Sequence, residues 1–288
     1  MKLLVLGGTR FLGRHVVETA AAEGHAVTVF HRGETRCPLP PGVEERLGDR
    51  TSADVERLGA EPWDLVVDTS GMDPETVERS ARALAGARRY LFVSTVSVYA
   101  DVSRPGLNED APLAELPAEG GEADPAQRYG ALKAAAEAVV RERLGARATV
   151  VRPGLIAGPY DPTGRFTYWA ERVARGGEVL APGRPERPVQ LIDARDLAAW
   201  FLRLGRAERG GTFHAAGPLG GTTMGELLEA GSAALDPAEP VRLRWVGDEV
   251  LLEAGAGPWM ELPLWLPDQP EYAGFLRLDP SRAQAAGL

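Results

Sequence analysis

The sequence predicts an α/β fold, a doubly wound parallel sheet with a smaller C-terminal lobe. Three observations carry this. Through the N-terminal half, short apolar runs alternate with helical patterns, as successive βαβ units require. The runs LLVL, LVV and YLFV are apolar throughout, as strands buried on both faces are. After Pro153, prolines and glycines become dense and the predicted elements shorten.

The elements follow in order. Lys2–Leu6 reads as a strand. Phe11–Glu23 reads as a helix, with Leu12, Val16 and Ala20 on one face and Gly24 placed to end it. Ala26–Phe30 is the next strand, Val43–Leu47 a weaker one, and Asp54–Leu58 a short helix. Leu65–Asp68 is a strand, Pro74–Leu84 a helix and Tyr90–Ser94 a strand. Residues 101–127 are acidic and rich in Pro, Ala and Gly. They fit either a long loop at the mouth of a site or a disordered surface insertion. A helix spans Arg128 to Leu144, closed by Gly145, and Ala148–Val151 is a further strand. Val189–Ile192, a helix over Leu197–Gly205 and a strand over Thr212–His214 read as a return to the sheet. The tail holds a helix near Met224–Ala234, a strand near Val241–Val246 and the stretch PWMELPLWLP. The expected division is therefore 1–152 with 189–216 for the main domain, and 153–188 with 217–288 for the lobe.

Composition narrows the function. The chain has 288 residues, 44% hydrophobic and 25% charged, with a net charge of -9. That balance disfavours a free-standing nucleic-acid binder, which needs a basic surface. A single cysteine, Cys37, excludes an internal disulfide and a Cys-based zinc site. His15, His25, His31 and His214 show no metal-ligand spacing, and there is no G-x-S-x-G elbow. No apolar stretch approaches the roughly 20 residues of a membrane span, and Leu3–Leu6 is too short for a signal peptide's core, so the cytoplasm is the expected compartment.

The first motif is LGGTRFLGRH, between the first strand and first helix. A glycine turn there directs free amides and the helix dipole at an anion such as a pyrophosphate. Gly7, Gly8, Thr9, Arg10, Phe11, Leu12 and Gly13 are the candidate contacts. The second strand then runs Phe30-His31-Arg32-Gly33. An acid at its end would favour NAD, whereas a base accommodates the 2′-phosphate of NADP. Arg32 points to NADP over NAD, with Arg10 facing the same region. Of 32 basic residues only Lys2 and Lys133 are lysine, so an arginine says little about its position and a lysine says more.

Lys133 lies in the second motif, RYGALKAAAE, four residues after Tyr129. That spacing puts both on one helix face. A nearby ammonium lowers a phenol's pKa, so the expectation is that Lys133 brings Tyr129 into range as a general acid or base. Upstream, Thr95 and Ser97 sit at the C-terminal end of a predicted strand, where ligands bind in such sheets, or they cap that strand.

Together GGTRFLG, STVSVYAD, YGALK, VRPGLIAGPYD, VQLIDARDLA and GTFHAAGP resemble the extended short-chain dehydrogenase/reductase superfamily, the NAD-dependent epimerase/dehydratase-like proteins, over most of the chain. The resemblance implies a Rossmann domain holding the cofactor, and a catalytic set of Thr95, Tyr129 and Lys133. Lys133 would also bind the nicotinamide ribose, Asp49 the adenine, and Pro153 with Gly154 would lie beside the nicotinamide. Family members are often dimers. Arg10 replaces the usual middle glycine, which resembles an atypical subgroup that includes chloroplast stem-loop RNA-binding proteins. Val96 and Ser97 stand where sugar-nucleotide dehydratases carry Asp-Glu, which sets that chemistry aside. Val189 stands where sugar-nucleotide epimerases place a diphosphate-binding arginine, and Arg187 lies two residues off.

The expected function is an NADP- or NAD-dependent oxidoreductase acting on a carbonyl or secondary alcohol of a small molecule. An epimerase with held cofactor is the alternative within the family. A non-catalytic NADP- or RNA-binding protein is the alternative outside it. Tyr160, Phe166, Trp169 and PWMELPLWLP fit either an aromatic ligand surface or the core of the lobe.

Overall fold

The computed structural model describes residues 1–117 and 124–288. In chain order the elements are β1 (Lys2–Leu6), α1 (Phe11–Ala22), β2 (Ala26–His31), β3 (Glu44–Leu47), β4 (Leu65–Asp68), α2 (Pro74–Ala83), β5 (Arg89–Val93) and α3 (Pro125–Leu144). Then come β6 (Ala148–Pro153), β7 (Leu155–Ala157), α4 (Arg165–Ala174), β8 (Gly177–Pro182), β9 (Leu191–Asp193), α5 (Ala194–Arg206), β10 (Gly211–Ala215), α6 (Met224–Leu235) and β11 (Val241–Val246). A turn of 3₁₀ helix covers Ala53–Ala60, where a short helix is expected.

Seven strands form one parallel sheet in the order β10-β6-β5-β4-β1-β2-β3. Chain direction across the sheet reverses between β1 and β4, so the crevice for a ligand opens at their C-terminal ends. β1, β4 and β5 bury nearly every side chain, as their continuous apolar runs require. One face packs on α1 and α5 through Val16, Ala20, Leu197 and Phe201. The other packs on α2 and α3 through Val77, Ala81, Ala136 and Val140.

Beyond Pro153 the architecture changes, with two small parallel pairs, β7 with β9 and β8 with β11. The strand expected over Val189–Ile192 thus does not return to the main sheet; Leu191–Asp193 pairs with Leu155–Ala157, while α5 and β10 do return. The lobe has its own core of Leu155, Trp169, Val173, Met224, Leu228 and Leu264. Trp169 and Trp265 are buried, their indole N–H groups bound to the Pro263 carbonyl at 2.6 Å and to Asp248 Oδ1 at 2.8 Å. These tryptophans are core rather than ligand surface. The last residues of the stretch expected in the lobe, Ala283, Ala286 and Leu288, pack instead on the α1–α5 side.

α3 begins at Pro125, capped by Asp124, three residues before the predicted start. Of the acidic stretch, the described residues 101–117 are tied into the fold. The Glu109 carboxylate accepts from the His214 amide at 2.8 Å, and the Gly274 amide donates to the Val102 carbonyl at 2.8 Å. The rest of that stretch, 118–123, lies outside the described residues.

Candidate active site

The β1–α1 turn is shaped by two glycines. Gly7 has φ +88°, a left-handed conformation that disfavours a side chain. A Cβ on Gly13 would lie 2.3 Å from the Gly7 carbonyl oxygen, so only glycine lets α1 start this close to β1. The turn opens into a cavity of about 700 Å³ at the C-terminal ends of β1 and β4. Its walls include Gly7, Thr9, Arg10, Phe11, Leu12 and Gly13 from the first motif, Arg32 and Asp49 from the β2 and β3 ends, and Pro153 with Gly154. Thr95, Tyr129 and Lys133 line the same cavity. Gly8 does not. It turns inward, where a Cβ would meet Val17 and Val29 at 2.8 Å, so its role is packing.

Tyr129 and Thr95 meet because of the residue between Tyr129 and the rest of its helix. A Cβ on Gly130 would lie 2.0 Å from the Ser97 carbonyl oxygen, so α3 presses directly on the turn after β5. This brings the Tyr129 hydroxyl into hydrogen-bonding reach of Thr95. Thr95 also caps that turn, its Oγ1 accepting from the Ser97 amide at 3.1 Å. Burial pushes the Tyr129 pKa up, and the Thr95 hydrogen bond offsets only part of that. Lys133 does not lower it, contrary to the sequence expectation. Its ammonium turns to the Gly71 and Val93 carbonyls, at 2.6 and 2.7 Å, over the Phe92 ring. Burial drives the Lys133 pKa down to about 8, although Asp68 and Glu137 pull it the other way. Burial thus favours the neutral phenol.

Arg32 and Arg10 both border the cavity, and so does Glu34, which the sequence reading passed over. Arg32 pairs with Glu34 at 2.8 Å, both side chains largely exposed. Water and salt screen such a pair, so it does not remove Arg32 from use. Asp49 accepts from the amide and hydroxyl of Thr51, both at 2.8 Å; these bonds, amide first, hold its carboxyl below the usual range. Arg187 faces away from the cavity, bound to Asp248 at 2.6 Å within the lobe.

Behind the site runs a buried polar chain that sequence reasoning missed. Arg152, preceding Pro153 on β6, grips Glu137 with two bonds of 2.9 and 2.7 Å. It also donates to the Tyr99 hydroxyl at 2.8 Å, and Tyr99 bonds His214 on β10. Glu137 is one turn beyond Lys133, so this chain fixes α3 against β6 and β10. No sequence signal marks it, since Arg152 lies one residue past the strand read over Ala148–Val151.

Residues 3–216 match the model of the NAD dependent epimerase/dehydratase family. The chain belongs to that family. Among relatives of this NAD dependent epimerase/dehydratase protein is the chloroplast stem-loop binding protein of 41 kDa b of Arabidopsis thaliana, 30% identical over 222 residues, covering 70% of this chain and 54% of the relative. A second is the 2'-dehydrokanamycin reductase of Streptomyces kanamyceticus, 32% identical over 161 residues, covering 54% of this chain and 43% of the relative. The chain thus aligns with about half the length of these two relatives. Its fold is shared with the enzyme WbmG of Bordetella bronchiseptica, solved with NAD and UDP: TM-score 0.68, 19% identity, 99% of this chain and 88% of that one. The family is described by its NAD dependence, which makes a nicotinamide dinucleotide the cofactor class. Among the described residues, no helix is long and apolar enough to cross a membrane.

Proposed function

We propose that the protein is an NADP-preferring oxidoreductase that reduces a carbonyl of a small molecule, or oxidises the matching secondary alcohol. The observation that carries this reading is the convergence of Thr95, Tyr129 and Lys133 on the cavity that the glycine turn also lines. The cradle fits a dinucleotide: a Cβ on Gly13 would fill the close approach of helix and strand, and the free amides at the start of α1 suit a pyrophosphate. The amides of the Gly7–Gly13 turn would hold that pyrophosphate, Asp49 the adenine, Lys133 the nicotinamide ribose, and Arg32 with Arg10 the 2′-phosphate. When bound, the nicotinamide supplies or accepts a hydride.

The chain's own residues do the rest. Thr95 donates a hydrogen bond to the substrate oxygen and orients it. Tyr129, kept protonated by burial, gives its proton to that oxygen as negative charge develops, a contribution of roughly 10²–10⁴ in rate. Lys133 acts on the ribose, its ammonium being turned to the Gly71 and Val93 carbonyls rather than to the phenol. Pro153 and Gly154 shape the opposite wall. Similarity to a reductase supports the reductive direction.

Epimerisation would use the same three residues. It is the second reading because Arg187, the nearest equivalent of a diphosphate-binding arginine, is tied to Asp248. Similarity to a stem-loop binding protein motivates a third, RNA binding, against which the net charge of -9 weighs. The deciding experiment offers purified protein a carbonyl panel that includes keto-sugars, with NADPH. A reductase consumes NADPH in proportion to product. Epimerisation of an added secondary alcohol in the presence of oxidised cofactor, with no net change in the amount of reduced cofactor, indicates the epimerase, and salt-sensitive RNA binding with no NADPH loss on any carbonyl indicates the third reading.

A further inference from the structure

Arg50 follows Asp49 and lines the cavity, yet the proposed chemistry gives it no part. Its guanidinium binds Asp68 at the end of β4 through two bonds, of 2.7 and 2.8 Å. It also donates to Ser70 and Ser80, each at 3.0 Å. Asp68 is fully buried and further accepts from the Tyr90 hydroxyl at 2.8 Å and the Ser70 amide at 3.1 Å. The next residue, Gly71, offers the carbonyl that holds the Lys133 ammonium. That segment has no slack, since a Cβ on Gly71 would meet Phe92 at 2.6 Å and Asp68 Oδ2 at 3.0 Å.

A buried ion pair is a poor source of net stability, because apolar residues of similar volume do as well or better. Here, however, the pair joins two walls of one cleft. We propose that Arg50 is a positioning residue for Lys133: by gripping Asp68 and Ser70 it ties the Asp49–Thr51 wall to the Gly71 carbonyl that holds the ammonium. The groups facing Lys133 are then Asp68 and Glu137 as anions, Arg50 as a cation, the Gly71 and Val93 carbonyls and the Phe92 ring. Asp68 stays ionised because Arg50 and the Tyr90 hydroxyl outweigh its burial. The inference rests on the role given to Lys133 in the preceding section.

The two-lysine composition makes the test direct. Protein labelled with ¹³C at lysine Cε gives two signals, and Lys2→Arg assigns the one that belongs to Lys133. Asp68→Asn removes a facing anion but keeps Arg50, so the Lys133 titration midpoint should fall by half a pH unit or more, on the order of a facing charge's effect. NADPH, followed by its fluorescence on binding, should bind about tenfold more weakly, in line with lost placement of one ligand group. The double variant Arg50→Met/Asp68→Asn leaves no unpaired charge, and keeps the test open if Asp68→Asn alone does not fold. It should still bind NADPH about tenfold more weakly. An unmoved Lys133 midpoint in folded Asp68→Asn, or unchanged NADPH affinity in the folded double variant, overturns the proposal. Wild-type protein that binds no NADPH sinks the functional reading instead, and the Lys133 signal then decides this one alone.

Discussion

Replacing Lys133 by Met should change how stability depends on pH, and the sign follows from its burial. In the folded protein Lys133 titrates at about 8, against an ordinary 10.5, and only 4% of the residue is exposed. The unfolded chain therefore holds its proton to higher pH than the folded one. Below about pH 8 the folded state bears the whole cost of a buried cation. Between about 8 and 10.5 that cost is relieved, so the lysine's contribution to stability rises with pH. At about 1.4 kcal/mol per pH unit, the interval amounts to about 3 kcal/mol. Met has no proton to lose, and the Gly71 and Val93 carbonyls it leaves unpaired add an offset that does not vary with pH. Urea unfolding of wild type and Lys133→Met should thus give a difference that climbs by about 3 kcal/mol from pH 7.5 to 10.5. A difference that stays flat over that window would refute the burial argument for Lys133.

Gly13→Ala puts a Cβ 2.3 Å from backbone and should cost about 1–3 kcal/mol in urea melts, with dinucleotide affinity down at least tenfold. Gly8→Ala meets only Val17 and Val29 side chains, and should lower stability with a smaller effect on affinity. Arg32→Ala should weaken NADPH more than NADH, whereas Glu34→Gln, which frees Arg32, should do the reverse; equal effects on both cofactors in titrations would remove the 2′-phosphate assignment. Arg152→Met leaves the buried Glu137 to the half-exposed Arg141 at 2.6 Å, and should destabilise by less than the about 3–5 kcal/mol of a fully unpaired buried charge, with much of that regained in the double variant Arg152→Met/Glu137→Leu.

Legibility followed periodicity and spacing. The central strands β1, β4 and β5 could be read because they are apolar on both faces, and the Tyr129–Lys133 pair because helix geometry fixes residues four apart. The pairing of β9 with β7 could not be read, since a three-residue apolar run carries no information about its partner. α4 and β8 were passed over for a related reason: Arg165–Ala174 and Gly177–Pro182 alternate with solvent-facing charge in a proline- and glycine-rich stretch. The cavity wall at the first glycine turn could be read except for Gly8, whose inward turn depends on Val17 and Val29 coming from separate elements. The pKa of Tyr129 was misjudged because proximity along a helix does not say where an ammonium points. Lys133 found two carbonyls on other elements. Arg50 and Arg152 were hidden by the chain's own habit of using arginine, which made them look like the other twenty-eight of its thirty arginines.

In the proposed mechanism Tyr129 moves the proton, in a hydride-transfer site whose cofactor is held by other residues. Tyr129→Phe keeps the ring and loses only the hydroxyl that meets Thr95. The direct measurement is NADPH affinity and single-turnover NADPH oxidation, for wild type and Tyr129→Phe, on a carbonyl that wild type reduces. The prediction is unchanged affinity with oxidation slowed by roughly 10² or more. A variant that oxidises NADPH as fast as wild type would contradict it.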